Sequence, residues 1–511
     1  MQSANKVLLN TGILYIKILI TAIISLYSTR LVIEGLGIQD FGIYNLVNGL
    51  IAMLSFLNAA MTVSTQRYLS YYLGKENIAM QRRVFTNSLI LHIMIGLLII
   101  LILEILGLFV FNGFLNIPTN RIDAAQKIFQ LMSATIFFTV VSVPFISAIN
   151  AHENMIWIAL ISIFEVVLKL GAALMLLNFN GDRLIYFGSM IAGISVVVFF
   201  LYALIALYKY QECTISKSKE YDWSLIKEIG SFAGWNLFGA ACSVGRSQGL
   251  GVILNLFFGA IINAAYGIAN QVGGQLNYFS ATMLRALNPQ IMKSEGANDR
   301  QRMLRLSIMA SKFGFFLMAF IAIPCIYEMP SILNFWLKEV PEFTVMLCNL
   351  TLIAIMINQL TIGLQSAFQA TGRIKEYQII VGSTLLFNLP VAYFMLKFEL
   401  PIYSVLISYI FFEIVSTFLR IFLLKKIAGL SVDEFIHKVI YKTLFPTLTI
   451  ILTGYLITKY IQIDFRFLYT ISISAILFTI SIFFTGLCDD EKEMLFNLIK
   501  KKSNRNAEPI S

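Results

Sequence analysis

The chain has 511 residues, 58% of them hydrophobic and only 13% charged, with a mean hydropathy of +0.78 and a formal net charge of +10. A soluble protein of this length carries about 25% charged residues to keep its surface wet, so a water-soluble globular domain is excluded and lipid must be the main solvent. The fold expected is an all-α polytopic membrane protein, because an open strand edge cannot be satisfied in hydrocarbon.

A span needs about 20 mostly apolar residues. About fourteen stretches qualify: 8–33, 40–66, 84–111, 124–149, 155–178, 184–208, 229–257, 260–288, 303–328, 343–369, 376–396, 401–424, 443–461 and 466–487. The first follows a single early lysine with no small-residue cleavage site, which reads as a spanning helix rather than a removable signal. Lys459 and Asp464 crowd the junction of the last two, which leaves twelve spans as the alternative count. Roughly 26 of the 38 basic residues fall on the side that holds both termini, so both termini are expected in the cytoplasm. The same asymmetry accounts for the net charge without nucleic acid, with anionic headgroups as further partners of the basic loops.

These spans organise as an N-terminal six-helix bundle (1–212), a charged cytoplasmic linker (213–228), a C-terminal six-helix bundle (229–425), two additional transmembrane helices (440–488) and a cytoplasmic tail (489–511). The tail opens "DDEKEMLFNLIKKK", acids first and lysines last, as suits the dipole of a short surface helix. The five cysteines lack ligand spacing and the three histidines lie far apart, so no metal, cofactor or disulfide is expected.

The two bundles share a pattern. "GIYNLV" at 42–47 and "GIANQV" at 267–272 start 225 residues apart (267 minus 42). Gln81-Arg82 and Gln301-Arg302 recur at an offset of 220, Leu115 and Leu337 at 222, and "SAINA" (147–151) and "SAFQA" (366–370) at 219. Matches in one order and at nearly one offset point to a parallel repeat, related by an axis along the membrane normal. Such a repeat implies a cleft that opens to one side and then the other.

Ionisable groups inside spans are expensive and mark function by default. Those expected along a substrate path are Lys17, Arg30, Arg67, Lys169, Arg246 and Arg285, with the amides Asn270, Gln271 and Gln275 of the polar eighth span. Arg67 and Arg285 can instead snorkel to the headgroups, Glu165 and Lys169 can neutralise each other at i,i+4, and the amides can simply join helices. Arg246 has no acid within one turn. Ion coupling by H+ or Na+ wants an acid within a span, and Glu165 and Glu413 are the candidates.

"FGIYNLVNG", "QRYLSYYLGK", "NAAYGIANQVGGQLN", "LNPQIMKSEG" and "FQATGRIKEYQII" together resemble the polysaccharide-export branch of the multidrug/oligosaccharidyl-lipid/polysaccharide exporter superfamily, through the twelfth span at least. The resemblance implies two MATE-like bundles and an O-antigen-type flippase of the bacterial inner membrane. Its substrate would be an undecaprenyl-diphosphate-linked oligosaccharide, and a glycan polymerase a partner. The alternative is a drug exporter of the related multidrug and toxic compound extrusion family, whose mostly cationic substrates would call for acids where bases dominate here. A membrane oligosaccharide polymerase commonly needs a sizeable outer loop, and every outer loop here is short, so no enzyme is expected.

Overall fold

Each described element is a helix, because a chain in hydrocarbon must pair its own backbone groups. The computed structural model describes residues 2–52, 55–109, 111, 118–214, 220–337, 339–463 and 465–493. In the first half these form α1 (Gln2–Ala52), α2 (Ser55–Gly74), α3 (Ile78–Phe109), α4 (Ile122–Val141), α5 (Val143–Ala151), α6 (Met155–Leu177) and α7 (Arg183–Lys209). Then follow α8 (Trp223–Phe258), α9 (Ala260–Gly296), α10 (Arg300–Trp336), α11 (Thr344–Gln359), α12 (Ile362–Thr371), α13 (Ile374–Tyr377), α14 (Ser383–Leu386), α15 (Asn388–Lys397), α16 (Ser404–Ala428), α17 (Val432–Phe435), α18 (Lys442–Tyr460) and α19 (Arg466–Ser481).

Eleven helical stretches are long and apolar enough to cross a membrane, or twelve when the bent pair α11–α12 counts as one span. The protein is therefore multi-pass, and large apolar side chains face outward along it, among them Leu26 at 76% and Leu256 at 70% exposure. The count of fourteen exceeds this by two. Of the stretch 40–66, residues 53 and 54 lie outside the described residues, and 260–288 falls in α9, whose amides and glycines leave it less apolar than its neighbours. Leu115 and the tail beyond residue 493 also lie outside the described residues.

The chain divides into two compact units. The N-terminal unit holds Leu9–Leu237 with Gly296–Asn298, and the C-terminal unit holds Met1–Leu8, Phe238–Glu295 and Asp299–Ser511. The division falls inside α8, whereas the sequence scheme places its linker at 213–228, ahead of that helix's middle.

The N-terminal unit packs α1, α3, α4, α6 and α7 around residues such as Val47, Ala125, Ile128, Ala173 and Leu184, all fully buried. Gly37 (φ +76°) kinks α1 in a left-handed conformation that costs only glycine little, and so separates the first span from the helix carrying "GIYNLV". Arg121 forks between Asp40 (2.5 Å) and Asp182 (2.7 Å), and Asp182 caps α7 by accepting from the amides of Leu184 and Ile185. Burial raises the Asp182 carboxyl, but the Arg121 guanidinium and those amides outweigh it and hold it below the usual carboxylate range.

In the C-terminal unit, Leu250, Leu254, Ala265, Leu333, Leu347 and Val405 form the main core. Here α18 and α19 dock on α10 through Phe316, Ala319, Ile450 and Phe478. Two ion pairs lie at that junction: Lys312 with Glu491 (2.5 Å), and Glu328 with Arg466 (2.8 Å), with Thr470 also donating to Glu328 (2.8 Å).

One helix break recurs in both units. α4 stops and α5 starts at Ser142; α11 and α12 meet at Leu360–Thr361 with a bend of 43°. Ser142 plus the 219-residue offset of "SAINA" and "SAFQA" is Thr361, so the break is duplicated along with the sequence. Just beyond it, a Cβ on Gly363 would lie 2.1 Å from the carbonyl of Ser307, so only glycine lets α12 press so close to α10.

Candidate functional site

Arg246 sits midway along α8 and Glu413 midway along α16, 167 residues apart in sequence. Arg246 Nη2 donates to Glu413 Oε1 at 2.5 Å and to the Tyr409 hydroxyl at 2.7 Å, and the guanidinium lies 3.8 Å from the Tyr409 ring centroid. Asn358 of α11 donates to the other Glu413 oxygen at 3.0 Å. All this is closed from solvent: Arg246 is 4% exposed and Glu413 1%.

The pair is one-armed. A guanidinium can meet a carboxylate through two parallel N–H bonds, yet Arg246 Nε and Nη1 are buried without a partner. The charge is balanced while half of the donor fork is left unused. Removing either member of such a pair costs about 3–5 kcal/mol, because it strands the other charge in a low dielectric.

Around the pair runs a polar seam. Tyr266 lies beside Arg246, with Asn270 and Ser247 near its hydroxyl. Gln359 donates to Asn277 (2.7 Å) and accepts from Ser280 (2.6 Å), Ser366 donates to Asn288 (2.7 Å), and Ser408 to Asn388 (2.7 Å). These bonds join α9 to α11 and α12, and α15 to α16, so the amides named serve as helix-to-helix contacts.

Of the residues expected from the sequence, the structure brings together two pairs. Arg246 meets Glu413: no acid stands within one turn of it on α8, and its partner comes from another helix instead. Glu165 and Lys169 pair at 2.6 Å, as i,i+4 spacing allows. Arg67 is 7% exposed, with its guanidinium 4.5 Å from the Tyr68 ring, 5.0 Å from Tyr71 and 5.4 Å from Phe232. Three rings therefore line the Arg67 guanidinium. Arg285 is exposed, 5.6 Å from the Tyr278 ring. Arg30, Gln271 and Gln275 are exposed and Lys17 is half-buried. Lys17, Arg30, Arg67, Glu165 and Lys169 belong to the N-terminal unit, and the rest to the C-terminal one.

The sequence reading passed over Lys312, Glu328 and Arg420, all within spans and all buried. Arg420 lies at the edge of the basic segment "RIFLLKK", yet it is 2% exposed. The signal that could have found them is the one applied to Arg246, an ionisable group inside an apolar stretch.

No protein-family profile matches the sequence, and no curated protein matches it. Solved structures do match in fold. One is described as the outward-facing conformation of a multidrug resistance MATE family transporter of the MOP superfamily, at TM-score 0.71 and 13% identity, covering 84% of this chain and 96% of that one. A second is the MATE transporter ClbM in complex with Rb+, at 0.68 and 15%, covering 85% and 96%. A third is a MOP superfamily transporter from Pyrococcus furiosus, described as having a reversed polarity of its binding pocket that suggests a different function, at 0.68 and 13%, covering 82% and 95%. The chain has the fold of MATE transporters, and at these identities the likeness speaks of fold alone.

Proposed function

We propose that the protein is an ion-coupled exporter that works by alternating access, and that Arg246 and Glu413 form its coupling centre. The single observation that carries this is a one-armed ion pair, buried in a transporter fold, whose guanidinium keeps two unused donors. A proton or Na+ captured by Glu413 would remove the counter-charge from Arg246 and free it for a solute acceptor. The resulting differential binding is what shifts a two-state equilibrium.

For the solute, the first reading is an amphiphilic organic compound, as suits the neighbour described as a multidrug resistance transporter. The main objection to it was an excess of internal bases, and pairing with Glu413 cancels the deepest of them. The second reading is the lipid-linked oligosaccharide of an O-antigen flippase, with a polymerase as partner. It rests on the export-type motifs and on the exposed cations Arg30 and Arg285. In either case we place the protein in the bacterial inner membrane with cytoplasmic termini, acting as two six-helix bundles.

The deciding experiment expresses the protein in two hosts, one lacking drug exporters and one lacking its glycan flippase. Lowered drug or dye accumulation in the first supports the exporter, and restored surface glycan in the second supports the flippase. In whichever assay responds, Glu413→Gln should abolish the response at normal expression; a fully active variant sinks the coupling centre.

A further inference from the structure

We propose that the break between α11 and α12 holds a halide-sized monovalent anion, bound by Arg420, Thr361 and Thr417. Arg420 is 2% exposed, and its Nη1 donates to the hydroxyl of Thr361 at the break, at 3.0 Å. Its Nε is buried and unpartnered. So is the hydroxyl of Thr417, three residues earlier on the same face of α16.

The local elements offer no counter-charge. α11 and α12 contain no charged residue at all. Glu413, two turns along α16, is already held by Arg246 and Asn358. The other buried cations of the unit have acids, Arg246 with Glu413 and Lys312 with Glu491. Among the described residues, Arg420 is therefore the buried cation of the C-terminal unit that no carboxylate meets.

An uncompensated guanidinium in a span is costly, and the scaffold does not require it. The α7 and α16 starts differ by 221 residues (404 minus 183), which makes Phe199 in the N-terminal unit's copy the equivalent of Arg420. There the corresponding space is packed by rings, with Phe199 5.6 Å from Phe138 and 5.9 Å from Phe145. Where apolar filler serves one copy, the other presents a cation with free donors. An anion would supply both the missing charge and the missing acceptor. The near-complete cover of Arg420 selects a single ion over a phosphate or an organic carboxylate. This site lies apart from the coupling centre and does not depend on which solute is carried.

The test is thermal unfolding of the detergent-purified protein in sodium chloride, bromide, phosphate or gluconate at fixed Na+ and ionic strength. Chloride and bromide should raise the melting temperature over gluconate, increasing with the logarithm of concentration once the site fills. Arg420→Gln should remove that dependence, while Arg373→Gln, at an exposed position, should keep it. If Arg420→Gln does not fold, the isosteric Thr417→Val should shift the chloride midpoint to several-fold higher concentration. Bromide-soaked crystals should show an anomalous peak beside Arg420. Equal melting in chloride and gluconate, a chloride shift that survives Arg420→Gln or is unmoved by Thr417→Val, stabilisation by phosphate alone, or no bromide at Arg420 would each overturn the proposal.

Discussion

The helix breaks at Ser142 and at Leu360–Thr361 share a position in the repeat and differ in what fills them. At the first, Ser142 donates back to the carbonyl of Phe138 (2.7 Å), and Phe85, Phe138, Phe145 and Phe199 pack edge to face or tilted around it. At the second, Thr361 instead accepts from Arg420, and Glu413 two turns away pairs with Arg246. By the helix-start offset, Glu413 stands where the first copy has Ala192. A ring pair contributes about 0.5–1.5 kcal/mol beyond its burial, whereas a buried ion pair often nets nothing over apolar filler. Charges in the second copy are hard to account for as stabilisers, so that copy is where the chemistry is sought.

The largest test of this contrast is Glu413→Ala. It should cost about 3–5 kcal/mol by stranding Arg246, seen as a lower melting temperature, and should abolish transport. The double variant Arg246→Leu/Glu413→Leu should regain most of the stability while staying inactive. Recovery of transport in that variant would end the contrast. Next comes the first copy. Phe199→Ala should cost about 3 kcal/mol, at the low end for a ring because the side chain is only partly buried, and the protein that folds should transport normally.

A smaller effect is expected at the loop after α7, where His152 Nε2 meets Glu212 at 2.5 Å and stacks on Tyr210. Burial raises the Glu212 carboxyl, but the His152 bond outweighs it and holds it below its ordinary value. That stability is present above the unfolded carboxylate value of about 4.3 and is lost as pH falls through the folded one. His152→Ala should therefore melt lower at pH 7, by about 1 kcal/mol after screening, and converge with the parent below pH 4. Smallest of all, Glu376→Ala removes an exposed partner of Arg373 and should change stability by less than about 0.5 kcal/mol. A larger loss there would mean that surface pairs rank with buried ones.

Much of the scaffold was legible in advance. The apolar runs match the helices long and apolar enough to span, except that 40–66 and 260–288 have no counterpart among them, and the "SAINA"/"SAFQA" offset marked the duplication but not the break beside it. Glu165 and Lys169 could be paired by helical spacing alone. The site was legible only as candidates. Arg246 and Glu413 were both named, but for different tasks, since nothing in a linear pattern says that residues 167 apart will touch. Arg67 read as a path cation or a snorkelling one and Arg420 sat at the edge of a basic loop, yet both are buried.

Solvent, helical class and duplication follow from order along the chain, because hydropathy, backbone satisfaction and a fixed offset are properties of that order. Which charges are neutralised does not. A guanidinium's partner is set by helix packing across a low-dielectric interior, and that packing gave Arg246 an acid and left Arg420 without one.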